Sequence, residues 1–148
     1  MAGPLHSWPV QWTIRDAEMT GISHYLVGYA FGLPAKSLVG KAYEHGVKAI
    51  YGGIPINSTL DVHNDRLELR TKSELLRSLF VKCEEARAVI PTRDIREISA
   101  TPSVFGIARS LVILPRIIVV TDKGEFQFLA SWRTNHVAKT LRRIVFGN

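Results

Sequence analysis

The chain has 148 residues, 46% of them hydrophobic and 22% charged, a globular composition at a length that excludes a large multidomain enzyme. Nineteen Lys and Arg face thirteen Asp and Glu, a net charge of +6, and the single cysteine, Cys83, excludes a disulfide framework and a thiolate zinc site. No basic segment leading into an apolar one opens the chain, and no run of about 18 apolar residues occurs, so a cytoplasmic protein is expected, soluble or peripheral on a membrane.

Residues 1–14 hold Pro4, Trp8, Pro9 and Trp12, and proline removes a backbone donor, so the segment reads as an extended arm whose tryptophans are partner anchors. Equally, Trp8 and Trp12 can pack back onto the domain. Residues 22–50 are apolar and glycine-bearing, broken at Gly32-Leu33-Pro34 into two short elements. The second, about residues 35–50, places Val39, Tyr43, Val47 and Ile50 at helical spacing after Pro34. The first, residues 22–33, is ambiguous between helix and strand. Gly28 and Gly32 allow close backbone approach but weaken a helix in water.

After Gly52-Gly53 the period shifts to two. Leu60 and Val62 alternate with Asp61, a turn follows at His63-Asn64-Asp65, and Leu67 and Leu69 alternate with Glu68, which predicts a hairpin with one buried face. Residues 71–83 offer a capping box, Thr71 with Glu74, and then Leu75, Leu76, Leu79 and Phe80 on one helical face, with a strand as the alternative. Short strands are predicted at 86–90 and 95–98 around Pro91, and a loop at 101–109 containing Pro102 and Gly106. Residues 111–120 form an apolar run, Thr121-Asp122-Lys123-Gly124 a turn, and residues 125–129 a returning strand with Phe126 and Phe128 on one face. Thr134 or Asn135 can cap a last helix with Val137, Leu141, Ile144 and Val145 as its apolar stripe and Lys139, Arg142 and Arg143 opposite.

Three segments in this order resemble the pleckstrin-homology (PH) superfold, most closely its GRAM-like and bacterial variants: residues 59–69, TLDVHNDRLEL; residues 89–98, VIPTRDIREI; and residues 116–128, RIIVVTDKGEFQF. The resemblance covers about residues 56–146. It implies an α+β, mainly β fold: a PH-like barrel of six or seven antiparallel strands closed by the C-terminal amphipathic helix. The domains expected are thus 1–55, an N-terminal docking extension of arm and short helices, and 56–148, the PH/GRAM-like domain. Leu67, Leu69, Asp94 and Ile95 are read as scaffold. The family's phosphoinositide binders carry several basic residues at the first hairpin loop, whereas here His63-Asn64-Asp65-Arg66 puts an acid at the tip, where it repels a polyphosphate.

Residues 59–148 carry fifteen basic and ten acidic side chains, and no acid follows Glu125. Arg109, Arg116, Lys139, Arg142 and Arg143 are the candidates for anionic contact. No catalytic or metal constellation stands out. The five histidines are scattered, Gly40-Lys41-Ala42 lacks the glycine and the Ser or Thr of a phosphate loop, and Glu44 and His45 point about 100° apart on a helix, both read as solvated. Cys83 beside Glu84-Glu85 is read as inert. The expectation is a non-enzymatic adaptor or accessory subunit without cofactor, docking on another protein or larger complex. An anionic membrane surface is the alternative partner and nucleic acid ranks last, because aromatic and basic residues do not interleave on one element.

Overall fold

The computed structural model describes residues 3–72, 78–83, 87–107, 110–130 and 133–147, and of 101–107 and 110–115 the backbone alone. In chain order the elements are β1 (His6–Ile14), β2 (Glu18–Met19), α1 (Gly21–Phe31), α2 (Lys36–Tyr51), β3 (Ile54–Val62), β4 (Arg66–Thr71), β5 (Val81–Lys82), β6 (Arg87–Pro91), a 3-10 turn (Thr92–Asp94), β7 (Ile95–Ile107), β8 (Ser110–Thr121), β9 (Gly124–Leu129) and α3 (Thr134–Phe146). The fold is mixed α+β: a seven-stranded antiparallel sheet, ordered β6-β4-β3-β1-β9-β8-β7, with a C-terminal helix. The small β2-β5 pair stands apart from it.

The sheet is not closed into a barrel, since β6 and β7 remain its two edges. Yet only the three-residue turn Thr92–Asp94 joins them. Extended chain spans at most about 3.6 Å per residue, so the sheet must curl until its edges approach at that corner. The Thr92 N–H donates to the Asp65 carbonyl at 2.9 Å and the Asp122 N–H to the Asp94 carbonyl at 3.3 Å, which ties the corner to the turns on both sides.

The extended-arm expectation for residues 1–14 is corrected. β1 lies inside the sheet, paired with β3 along its whole length and with β9 over Gln11–Thr13. Trp8, Val10, Trp12 and Ile14 alternate into the core, so period-two burial decided the segment despite its prolines. Pro9 falls where β1 has no β9 partner, a stretch where a missing donor can be accommodated. A domain boundary at residue 55 would therefore fall at the start of β3 and divide one sheet, parting β1 from the strand it pairs with.

The hairpin expected at 60–69 is present. Val62 pairs with Leu67 and Leu60 with Leu69, and all four side chains are fully buried. The loop expected at 101–109 is corrected over 101–107, which continue β7, and Pro102 stands opposite Pro115 of β8 in register. Two facing prolines can share a non-hydrogen-bonded pair, in which an antiparallel ladder asks neither for its N–H. The Thr71–Glu74 capping box, Leu75 and Leu76 lie outside the described residues. Leu79 and Phe80 are exposed, and the chain then enters β5 as a strand.

α3 begins as expected, but neither Thr134 nor Asn135 caps it; Arg133 occupies the N-cap position without a side-chain capping bond. Val137 and Leu141 are fully buried in the same cluster as Ile117, Val119 and Phe128, while Ile144 and Val145 are half-buried against it.

Candidate interaction surface

Both elements within residues 22–50 are helices, and they form an antiparallel hairpin inserted between β1 and β3. Thr20 starts it, its hydroxyl accepting from the Ser23 N–H at 3.3 Å while donating to the Leu79 carbonyl at 2.6 Å. The Ser23 hydroxyl donates to the Phe80 carbonyl at 2.7 Å, so the foot of α1 is fixed to the chain before β5. The turn between the helices is tight: Gly32 has φ 67° and Ala35 φ 57°, the only positive φ among the described non-glycine residues.

The two helices touch through glycine. A Cβ on Gly28 would overlap the Lys36 backbone, and one on Gly40 would overlap the backbone of His24. Only residues without a side chain allow this approach. The buried residues of α1 are Ser23 and Gly28, and that of α2 is Gly40, while the large apolar side chains point outward. Nine of the fourteen large hydrophobic side chains exposed among the described residues lie in 22–50, with Tyr29 at 66% and Leu38 at 67%.

One polar cluster ties the pair together. His24 Nε2 donates to Glu44 Oε1 at 2.5 Å, and Glu44 Oε2 accepts from the Met19 N–H at 3.1 Å and pairs with Lys48 Nζ at 3.2 Å. The His24 and Glu44 side chains are 12% and 13% exposed, which corrects the solvated reading of Glu44; His45 is exposed. Burial pushes the Glu44 carboxyl up, but the hydrogen bonds from His24, the Met19 N–H and Lys48 outweigh it and hold the group below the ordinary carboxylate range. A depressed folded-state value contributes stability that is present above the ordinary range and lost as pH falls through the folded value. Glu44→Gln should therefore lose about 1–3 kcal/mol at neutral pH. The gap to the wild type should narrow as pH falls below the ordinary carboxylate range, as melting curves taken at a series of pH values from neutral into acid would show.

The residues singled out from the sequence do not form one site. Trp8 and Trp12 are 8% and 3% exposed and belong to the core, which removes them as free anchors. Trp8 stacks on His6 at 4.9 Å and meets the His136 ring of α3 edge-on at 6.3 Å. Arg116 lies on the sheet face opposite buried Ile117 and Val119 and donates from Nη1 to Gln127 Oε1 at 3.0 Å. Lys139 and Arg143 are exposed on α3, whose other side is buried with Ile117 and Val119, so the sheet separates them from Arg116. Arg142 is committed to structure, its Nε donating to the Ile98 carbonyl at 2.9 Å. Arg109 lies outside the described residues.

A groove of 420 Å³ runs between residues 12–16, Gly52 and residues 123–127, where Arg15 pairs with Glu125 at 3.6 Å. Among the described residues no three His, Cys, Asp or Glu side chains gather as a metal would require. Among the described residues no helix is long and apolar enough to cross a membrane. The sequence showed the apolar run and Gly28, but the His24–Glu44 pair, twenty residues apart, becomes visible only once the helices are antiparallel.

No protein-family model and no curated protein matches the chain. A solved structure, the C-terminal domain of an unknown protein from Leishmania infantum, aligns over 97% of this chain and 84% of its own, with a TM-score of 0.52 and 12% identity, and that likeness concerns the fold alone.

Proposed function

We propose that the protein is a non-enzymatic interaction module, an accessory subunit in which a PH-like sheet and helix carry the α1–α2 hairpin as their docking element. Setting β2 and β5 aside, the strands run as a meander of four, β1, β3, β4 and β6, followed by a meander of three, β7, β8 and β9. The last strand pairs back on the first and a helix follows, which supports the resemblance to the PH superfold. On that reading the hairpin is an insertion after the first strand.

The observation that carries the function is the outward placement of the hairpin's large apolar side chains. Among the described residues nothing covers Ile22, Tyr25, Leu26, Tyr29 and Leu33, and contiguous exposed apolar surface of this kind marks an interaction site. The basic residues support a lipid-binding reading of α3 less well, because Arg142 is held by Ile98 and Arg116 is turned to Gln127.

A photo-crosslinking residue placed at Tyr29 in the full chain, in its native cell, should form adducts with a protein or a lipid. The same probe at Arg93, whose side chain is 87% exposed on the 3-10 turn, should react with solvent alone. Equal behaviour at both positions would count against the hairpin as the docking element.

A further inference from the structure

We infer that the outward stripe of α1 lies in the plane of a bilayer interface bearing anionic headgroups, with Lys36 and Lys41 at the phosphates. This rests on the reading of the hairpin as the docking element and names what it docks on.

The hairpin is packed as helices pack in lipid. In water two helices associate by burying large apolar side chains between them, whereas in lipid they associate through small residues and leave the large apolar ones outside. This hairpin follows the second pattern, with Ser23, Gly28 and Gly40 inside. Ile22, Tyr25, Leu26 and Tyr29 recur at three- and four-residue spacing, which gathers them on one side of α1, and all four are about half exposed or more. Leu33 extends the surface past the end of the helix.

The charge of the hairpin suits the same surface. Residues 21–51 contain three lysines, Lys36, Lys41 and Lys48, and one acid, Glu44, a net of +2. Glu44 is turned inward to His24, Met19 and Lys48, so no acid of the hairpin faces outward. Asp16 and Glu18 precede it at the end nearest the sheet. Lys36 Nζ stands 5.7 Å from the centre of the Tyr29 ring, which places a cation beside the apolar stripe. Tyrosine rings and lysine amines are the side chains that settle at headgroup depth, with the ring body toward the acyl chains. A second copy meeting this surface would instead bring +2 against +2.

Length excludes a span. At 1.5 Å per residue the 11 residues of α1 reach about 16 Å, roughly half the 30 Å of a hydrocarbon core, so the helix lies along the interface and does not cross.

The test is flotation of the full chain with vesicles of phosphatidylcholine alone or mixed with phosphatidylglycerol, at low and high salt. The wild type should float with the mixed vesicles, less so as salt rises. Leu26→Ser with Tyr29→Ser should weaken binding about tenfold or more, the factor carried by one large apolar side chain leaving water. Lys36→Gln with Lys41→Gln should weaken binding to the mixed vesicles about tenfold and leave binding to phosphatidylcholine alone unchanged. All four side chains are at least partly exposed, so melting curves should confirm that the variants stay folded.

Absence of wild-type flotation, or equal flotation by the Leu26→Ser, Tyr29→Ser variant, overturns the inference. So does a dimer in light scattering that the same variant dissociates, since a second copy would then occupy the stripe. Crosslinks from Tyr29 to protein without vesicle binding would leave the docking element standing and remove the lipid. Failure of both would remove the docking element as well.

Discussion

Leu141→Asp should leave the protein without a cooperative unfolding transition. Leu141 is fully buried beside Val137, Phe128, Ile117 and Val119, where α3 meets the sheet. Removing a leucine from such a place costs about 2–5 kcal/mol, and an isolated carboxylate there costs several kcal/mol more. Together these consume most of the roughly 5–15 kcal/mol that holds a domain folded. Lys139→Glu with Arg143→Glu should instead lose no more than about 1–2 kcal/mol, the scale of unfavourable charges near a helix C-terminus. Arg142 is excluded from that reversal because its guanidinium donates to the Ile98 carbonyl, and Arg142→Ala should cost about 1–3 kcal/mol by losing that charge-assisted hydrogen bond. Thermal melting of the three variants side by side checks the order. Equal tolerance of Leu141→Asp and the charge reversal would mean that α3 is not docked through its apolar stripe.

How legible each part was depended on whether its signal was local. The β3–β4 hairpin declared itself because Leu60, Val62, Leu67 and Leu69 alternate strictly around a turn, and alternation of that kind needs no distant partner to be read. α3 was legible for the same reason at helical spacing. The first strand was misread because two prolines are a strong local signal, while the fact that permits Pro9, the limited pairing between β1 and β9, depends on residues more than a hundred positions away. The burial of Trp8, Val10, Trp12 and Ile14 was already written in their period of two. At 101–107 Pro102 and Gly106 indicated a loop, and only the register with β8, which sets Pro102 opposite Pro115, allows the strand to continue. The exposed apolar surface of the hairpin was half visible. Apolar residues around Gly28 stood out, but which of them face outward follows from the contacts of Gly28 and Gly40, which a single helix cannot reveal.

Deleting residues 1–14 should abolish folding, and Trp12→Ala should lower the melting temperature steeply. β1 is the strand on which the two halves of the sheet meet, with β6-β4-β3 on one side and β9-β8-β7 on the other, so its removal splits a seven-stranded sheet into two three-stranded ones. Trp12 stands opposite Ile56 of β3 and Phe128 of β9 at the point where both ladders run together. Replacing a tryptophan buried to this degree by alanine costs about 3–5 kcal/mol, because the cavity cannot collapse between two strands held by their own ladders. At about 2–4 °C per kcal/mol for a chain of this size, the transition should fall by roughly 6–20 °C. A docking arm would behave in the opposite way, since its removal would leave the melting curve of the remaining chain untouched and change only what the protein binds. Thermal melts of the full chain, the Trp12→Ala variant and the deletion, followed by near-ultraviolet circular dichroism, separate the two. A deletion variant that still unfolds cooperatively at the wild-type midpoint would return residues 1–14 to the role of an arm and place the core elsewhere.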